Sequence, residues 1–476
     1  MFKQPVVVAL AAVFCVGCQT DLPTELHRSD DGVAKTIVQT NEVTSTLGLQ
    51  ELWAQQVGDG SFYVDPWWTR AGNKGETYVM GLTNGPIHGV ARVAPDEYAD
   101  CFLSKYDAGG ARLWTVMLTR PGSFGCINPD FGVLTNGTIR AVVNNILQMT
   151  SNEMPFDVID ISDADGSVIR TFPNVGAGFA SVSAFVDQSG AITTQGTSWQ
   201  GGVPNPNGTE VRRYRSNLSL SWTAALGEYE AWGITVHPST SWVVAPTQGG
   251  GGVKVFDANG NLQKECSLPA HHFAWYYAFA PDHPTAVYVS NYEQLDFKPW
   301  LAKLDWSTCA ILWEGAPPEI PSYGQGADVQ IDGDGNVWQV GYYRSANGTD
   351  DVFFRAFTPD GDLIGEQFWG TETFMESLWS FAFDKSGAIS LFSGYLYDPQ
   401  PPSGEAASDA NASLTLRSMS RGALLSPLGG RPFAAGESSS AEAVSGAKTA
   451  IVQKLSVPGG KSKGKGKKSG KSKDNG

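Results

Sequence analysis

Five aromatic residues stand at one place in a repeated pattern, each near the start of a predicted strand that follows a loop. They are Trp67, Phe131, Trp232, Trp275 and Trp379. Flat apolar rings with a polar edge suit the face of a sugar or the side chains of a peptide, and we predict a binding surface here. Large aromatic side chains also bury much area in protein cores, so packing between neighbouring units is the alternative interpretation.

Three histidines are predicted to lie in connecting loops at the same end of the molecule: His88, His271 and His272. Neutral imidazole binds Zn²⁺ or Cu²⁺, so these residues are candidate ligand-binding groups. No fourth ligand follows at a characteristic spacing, and no metal site is predicted. The acidic turn Asp332 to Asn336 resembles half of a calcium loop, but Asp, Gly and Asn are also ordinary turn residues.

Catalytic chemistry is not indicated by any compact motif. The predicted strands and turns contain no Gly-x-Ser-x-Gly nucleophile elbow, and the chain has only six His. We therefore predict neither catalytic residues nor a cofactor. Sites built from distant loops leave no such motif, so an enzyme acting on a sugar or lactone remains an alternative to a binding protein.

A repeated hairpin must position these residues. The segment Asp100 to Met117, DCFLSKYDAGGARLWTVM, reads as two short strands joined by a turn in which Gly109 and Gly110 supply positive backbone angles. Weaker copies of this hairpin begin at Val253, Pro299 and Asp351.

A second kind of hairpin alternates with the first. Its turns are 45 to 62 residues apart and fall near Gly75, Gly137, Gly190, Ser239, Pro284, Gly335 and Gly387. Seven units of four strands at this period are typical of a β-propeller, because a lone four-stranded unit cannot bury both of its faces. We predict an all-β, seven-bladed β-propeller over residues 48–457.

The last unit is incomplete in sequence. A segment rich in Ser, Ala, Gly and Pro, residues 398–446, reads as an inserted loop, and Ala447 to Leu455 then supplies only one strand of the hairpin. The strand Leu49 to Val57, with Trp53 in the place of Trp114, is the missing piece. We predict that these two strands pair and close the ring, which removes an exposed sheet edge. The competing interpretation uses residues 412–426 as a complete last hairpin.

The hairpin DCFLSKYDAGGARLW and strands such as GNVWQVGYY resemble the bacterial β-propeller repeats often written as SBBP repeats. The resemblance covers roughly residues 49–397 and 447–455 and is poor in the second unit. It implies a scaffold in an exported or surface protein, and it implies no catalytic residues.

Residues 1–18 read as an export signal, with Lys3 before a short apolar run. The run ends in Cys15-Val16-Gly17-Cys18, which resembles a bacterial lipobox, so we predict lipidation of Cys18. Gln19 then implies, by the same resemblance, an outer-membrane lipoprotein on the periplasmic or cell-surface side. An ordinary secretory signal is the alternative. Residues 19–47 are polar and read as a flexible tether.

Charge is distributed unevenly along the chain. The formal net charge is -15, but residues 461–473 hold seven Lys, and without the terminal tail the body carries 26 - 47 = -21. An acidic body argues against specific nucleic-acid binding. The tail, residues 458–476, is predicted to be disordered. It either contacts an anionic polymer, such as lipid headgroups or surface polysaccharide, or folds back on the acidic body.

Four cysteines follow the signal segment, and an exported protein can keep disulfides. We predict a bond between Cys101 and Cys126, which closes the hairpin that lies between them, with four free thiols as the alternative. Cys266 and Cys309 are expected to lie at opposite ends of their strands, so we do not predict that they pair.

Together these features predict a monomeric, exported binding module for carbohydrate or protein at the cell envelope, held to the membrane by its lipid anchor. An enzyme is the second hypothesis, and a purely structural envelope protein is the third.

Overall fold

A computed structural model describes most of the predicted propeller. The residues that it describes are 47–57, 62, 64–94, 98–146, 156–176, 179–200, 203–227, 232–247, 250–318, 320, 323–344, 350–369, 374–397 and 448–456. The export signal with Cys18, residues 19–46 of the tether, the insertion 398–446 and the Lys-rich tail lie outside the described residues. None of the described segments is a helix of the length and apolarity needed to cross a membrane.

The described residues form seven antiparallel sheets of four strands each. In chain order the strands are β1 (Gln50–Val57), β2 (Val64–Ala71), β3 (Thr77–Thr83), β4 (Asp100–Tyr106), β5 (Arg112–Met117), β6 (Gly125–Val133), β7 (Thr138–Ile146), β8 (Phe156–Ser162), β9 (Val168–Val175), β10 (Phe179–Val186), β11 (Ile192–Gln200), β12 (Val203–Tyr214), β13 (Leu220–Gly227), β14 (Thr235–Val236), β15 (Val243–Thr247), β16 (Gly252–Phe256), β17 (Leu262–Ser267), β18 (His272–Phe279), β19 (Ala286–Glu293), β20 (Lys298–Asp305), β21 (Ala310–Glu314), β22 (Gly324–Ile331), β23 (Val337–Arg344), β24 (Asp350–Phe357), β25 (Leu363–Trp369), β26 (Phe374–Phe383), β27 (Ile389–Tyr397) and β28 (Lys448–Ser456).

The seven sheets are the blades of a β-propeller, as the sequence predicts. Blades 1 to 6 are β2–β5, β6–β9, β10–β13, β14–β17, β18–β21 and β22–β25, and blade 7 is β26, β27, β28 and β1. First strands of neighbouring blades, such as β2 with β26 and β18 with β22, contact one another around a central channel. The turns between strands 1 and 2 and between strands 3 and 4 lie at one end, which we call the turn face. The remaining connections lie at the other end, the loop face.

Blade 7 closes the ring by pairing strands from distant parts of the chain. Strand β1 runs antiparallel to β28, with Gln50 opposite Ser456 and Val57 opposite Ala450. Strand β28 pairs on its other side with β27. The predicted closure is confirmed, and the competing last hairpin at residues 412–426 is wrong because β28 already fills the third position of the blade.

Aspartates organise the turns of the turn face. In the hairpin of blade 1, Asp107 Oδ1 accepts hydrogen bonds from the backbone N–H groups of Gly109 and Ala111, at 2.9 and 2.8 Å. Gly110 has a φ of +88°, which costs glycine nothing and strains other residues. The turn at Asp332 has the same bonds, to Asp334 N and Asn336 N, so ordinary turn chemistry accounts for this calcium-like sequence.

Four blade interfaces share one contact between a tryptophan and a glycine. Trp53 of blade 7 covers Gly110 of blade 1, where a Cβ atom would lie 2.6 Å from the indole, and its Nε1–H donates to Ala108 O at 3.0 Å. The other pairs of this kind are Trp114 with Gly166, Trp222 with Gly260, and Trp313 with Gly361. Side-chain burial and a directional hydrogen bond therefore fix each of these blades to the next.

Two other interfaces replace this contact. Between blades 2 and 3, Arg140 Nη1 donates to Gly190 O at 2.6 Å and to Ser216 O at 2.7 Å, while Asp160 holds the other edge of the guanidinium. Between blades 4 and 5 the link is a disulfide from β17 to the 3–4 turn of blade 5.

Both cysteine pairs form disulfides, so one prediction is confirmed and one expectation is wrong. Cys101 bonds to Cys126, but Cys126 lies in β6, so the bond joins blades 1 and 2. Cys266 bonds to Cys309, which we did not predict. Side chains alternate along β17, so Cys266 points to the same side as Lys264, which is the blade 4 equivalent of Trp114 in blade 1. That side faces the 3–4 turn of the next blade. The contact could not be predicted because the sequence argument compared positions within single blades.

Candidate functional site

A β-bulge marks the middle of the first strand in six of the described blades. The register shifts between Pro66 and Trp68 in blade 1, and equivalent shifts occur in blades 2, 3, 5, 6 and 7. Trp67, Trp275 and Trp379 are the extra residues of three bulges. Bulges often re-aim side chains beside functional sites, and here they place three of the five predicted aromatics at equivalent positions.

Trp67 and Trp232 meet across the channel. Trp67 belongs to blade 1 and Trp232 lies just before β14 of blade 4, yet their ring centroids are 5.9 Å apart in an edge-to-face arrangement. Trp67 Nε1 donates to Asp65 Oδ2 at 3.1 Å, which fixes the indole. These two side chains narrow the channel at the loop face.

Phe131 is not part of this group. It lies beyond the bulge of β6 and is fully buried in the core between blades 1 and 2, with its ring 6.5 Å from that of Tyr78. Phe131 therefore packs between neighbouring blades, which is the alternative interpretation given above for the five aromatics.

Trp275 and Trp379 belong to a larger cluster of aromatic rings on the loop face of blades 5 to 7. We call this cluster the aromatic strip, and its members are Phe273, Trp275, Tyr292, Phe297, Tyr323, Tyr342 and Trp379. Centroids of neighbouring rings are 5.4 to 6.1 Å apart. Tyr323 is 37% exposed and the other six rings are partly exposed, so the strip is reachable from solvent.

Polar groups border the aromatic strip on blade 6. The Tyr342 hydroxyl donates to Gln325 Oε1 at 2.8 Å and lies 3.3 Å from the Tyr323 hydroxyl. Gln325 is only 5% exposed, and its Nε2 has no hydrogen-bond partner among the described residues. Arg344 pairs with Asp350 at 2.8 Å, and this bond raises the pKa of the guanidinium. Aromatic faces and hydrogen-bonding groups are therefore presented side by side.

The three histidines fall in two places. His88 lies in blade 1, with Nε2 3.2 Å from the Tyr106 hydroxyl, and burial together with Arg112 lowers its pKa to about 4. His271 and His272 begin blade 5, next to the aromatic strip, and the His272 ring lies 4.7 Å from Trp300. In the part of the chain that is described, no three metal-ligating side chains come together.

The channel contains a cavity of about 850 Å³ that the sequence did not reveal. All seven first strands line it, and its polar groups include Arg70 and Asp328. Arg70 pairs with Asp130 at 3.1 Å. Asp130 and Asp328 each follow the bulge of their strand, and burial raises the pKa of Asp130 to about 7 and that of Asp328 to about 6. The sequence signal for these cavity residues was an aspartate at equivalent positions in the first strands of two blades.

No protein-family model matches the chain, and comparison with curated proteins gives no match either. Among solved structures, a chain in the crystal structure of the mitotic checkpoint complex aligns over 80% of this chain and 96% of its own length, with 9% identity and a TM-score of 0.46. Virginiamycin B lyase from Staphylococcus aureus aligns over 74% of this chain and 96% of its own length, with 10% identity and a TM-score of 0.43. At these identities nothing about ligand or activity follows for this chain.

Proposed function

We propose that this protein is an exported binding module that takes a carbohydrate on the aromatic strip. The observation that carries the proposal is the run of seven partly exposed rings across three blades, bordered by polar side chains. The C–H face of a sugar packs on an aromatic ring, and its hydroxyls both donate and accept hydrogen bonds. Arg344 and the two tyrosine hydroxyls supply such partners at the edge of the rings.

The cellular location of the protein is part of the same proposal and is inferred from its sequence. Cys18 is proposed as the lipidation site of an outer-membrane lipoprotein, and the Lys-rich tail as a contact for anionic headgroups or polysaccharide. Replacing Cys18 by alanine should move the protein from the membrane fraction to the soluble fraction and abolish labelling by a fatty-acid analogue. Wild-type protein that is soluble and unlabelled would instead indicate an ordinary secretory signal.

The binding proposal is tested with a printed glycan array, followed by calorimetry on the best glycan. Tyr323→Ala and Trp379→Ala should each weaken binding about two- to ten-fold, because one stacked ring contributes about 0.5–1.5 kcal/mol. Leu312→Ala is the matched control, since Leu312 is 45% exposed on the outermost strand of blade 5, away from the strip. All variants should melt close to wild type.

Each other outcome points to a different function. A protein that binds no glycan but captures an envelope protein through the strip would favour the protein-binding hypothesis. Release of a product from a bound glycan or a lactone, detected by mass spectrometry, would favour an enzyme. Binding that is unchanged by both strip variants would show that the strip is not the site.

A further inference from the structure

We infer that the channel cavity is a second binding site, for a small zwitterion such as an apolar α-amino acid. Its ammonium group would bind Asp328 and its carboxylate would bind Arg70. This inference does not rest on the proposed role of the aromatic strip, although one strip residue, Trp275, also lines the cavity.

The cavity has the size and the access that such a ligand needs. Its volume of about 850 Å³ lies in the range of small-molecule sites. On the loop-face side the channel is narrowed by the contact between Trp67 and Trp232. In the other direction the lining extends to the 1–2 turns of blades 3 and 4, including Ser189 and Pro238. A ligand would therefore enter from the turn face, opposite the aromatic strip.

Arg70 keeps donors for a carboxylate. Its Nη1 donates to Thr69 O at 3.0 Å and its Nη2 to Asp130 Oδ1 at 3.1 Å. A guanidinium has five N–H groups, so these two bonds fix its orientation and leave others for a ligand. The side chain is 27% exposed and lines the cavity. The ring of Trp68 lies 5.3 Å from its central carbon and limits its movement.

Asp328 is held in place by backbone donors from two blades. Its Oδ1 accepts from Val329 N at 2.8 Å and its Oδ2 from Phe381 N at 3.2 Å. Gln330 Nε2 is a third and longer donor, 3.4 Å from Oδ1 and 3.3 Å from Oδ2. A carboxylate has about four acceptor positions, so it can still accept from an ammonium group. Burial raises the pKa of Asp328, and the positive charge of Arg70 acts in the opposite direction and favours the ionised carboxylate.

The rest of the cavity wall fits the remainder of such a ligand. Apolar rings line it at Trp68, Phe185 and Phe383 and would take an apolar side chain.

The probe is L-phenylalanine, with two blocked forms as matched controls, measured by calorimetry on the whole protein. N-acetyl-L-phenylalanine lacks the ammonium charge and L-phenylalaninamide lacks the carboxylate. The free amino acid should bind, and each blocked form should bind at least ten-fold more weakly, because hydrogen bonds to charged groups are among the strongest. Equal affinity for all three compounds would overturn the inference. So would the absence of binding of both L-phenylalanine and L-leucine at 10 mM, the highest concentration of the titration.

Two variants assign the charges to the residues. Asp328→Asn should weaken phenylalanine binding at least ten-fold and leave the affinity for N-acetyl-L-phenylalanine unchanged. Arg70→Gln should also weaken phenylalanine binding at least ten-fold, and it should leave the affinity for L-phenylalaninamide unchanged. The blocked compounds test the inference on wild-type protein even where a variant does not fold. Trp379→Ala should not affect phenylalanine binding, so failure of this site and failure of the aromatic strip are distinguishable.

Discussion

On the turn face of the ring, the same contacts recur from blade to blade. Aspartates cap the turns, and tryptophans of four outer strands cover glycines of the next blade. On the loop face, the aromatic strip occupies only blades 5 to 7 of the described ring. Contacts that repeat around the ring stabilise it, and the features that occur in only a few blades are the candidates for recognition. Changes on the turn face should therefore alter stability, and changes on the loop face should alter binding.

The largest effect is expected from removing β1. Deletion of residues 50–57 takes away the outer strand of blade 7 and the contact of Trp53 with blade 1, so the open ring should unfold cooperatively at a much lower temperature. Deletion of residues 21–45 is the control and should leave the melting temperature unchanged. Equal melting temperatures for the two deletions would contradict a stabilising role for the closure.

Trp114→Ala compares the two faces most directly. Trp114 is buried against Gly166, and its indole N–H donates to Asp163 O at 3.1 Å, so its loss should cost about 3–5 kcal/mol of unfolding free energy. Trp379→Ala on the loop face should cost less than half as much. Urea denaturation followed by circular dichroism measures both values. Similar costs would mean that the strip is core rather than surface.

Removal of a disulfide should have a somewhat smaller effect. Cys101 and Cys126 are 25 residues apart, and a cross-link over a loop of this length stabilises the folded state by about 3 kcal/mol. Replacing both residues by serine avoids a free thiol and should lower stability by that amount. Peptide mapping without reduction should recover this pair and the pair Cys266–Cys309. Any other pairing would contradict the described contacts between blades.

The smallest effect depends on pH. Burial raises the pKa of Asp130 to about 7, so the folded protein holds this proton more tightly than the unfolded chain does. The contribution of Asp130 to stability therefore falls as the pH rises from about 4 towards 7. Between pH 5 and pH 8, wild type should lose about 2.5 kcal/mol relative to Asp130→Asn. A constant difference between the two proteins over this range would show that Asp130 is ionised throughout.

The sequence predicted the parts of the fold that depend on local rules. Turn residues such as Gly110 and the two-residue alternation of the strands gave the blade period, and the match between Trp53 and Trp114 gave the closure. It was wrong about Cys266 because the partner of that residue lies on another blade. The bond of Cys101 was predicted correctly, although it joins two blades instead of closing one hairpin.

The candidate sites were only partly predictable for the same reason. Trp275 and Trp379 could be found because they recur at one strand position. Tyr292, Tyr323 and Tyr342 lie at strand ends beside loops of unequal length, where no period marks them. The pairing of Arg70 with Asp130 joins residues 60 positions apart in neighbouring blades, so it is visible only in the folded ring.

The pairing of Gln50 with Ser456 has a consequence for how the molecule can be connected to others. The two ends of the propeller emerge side by side, at the position where six other blades have a 3–4 turn. A short linker between these two ends would therefore complete a circular chain. A circular permutant, joined at this position and opened at the 3–4 turn of another blade, should fold into the same seven blades. A segment fused to either end is attached at the turn face, so an anchor or a fusion partner does not compete with a ligand for the aromatic strip.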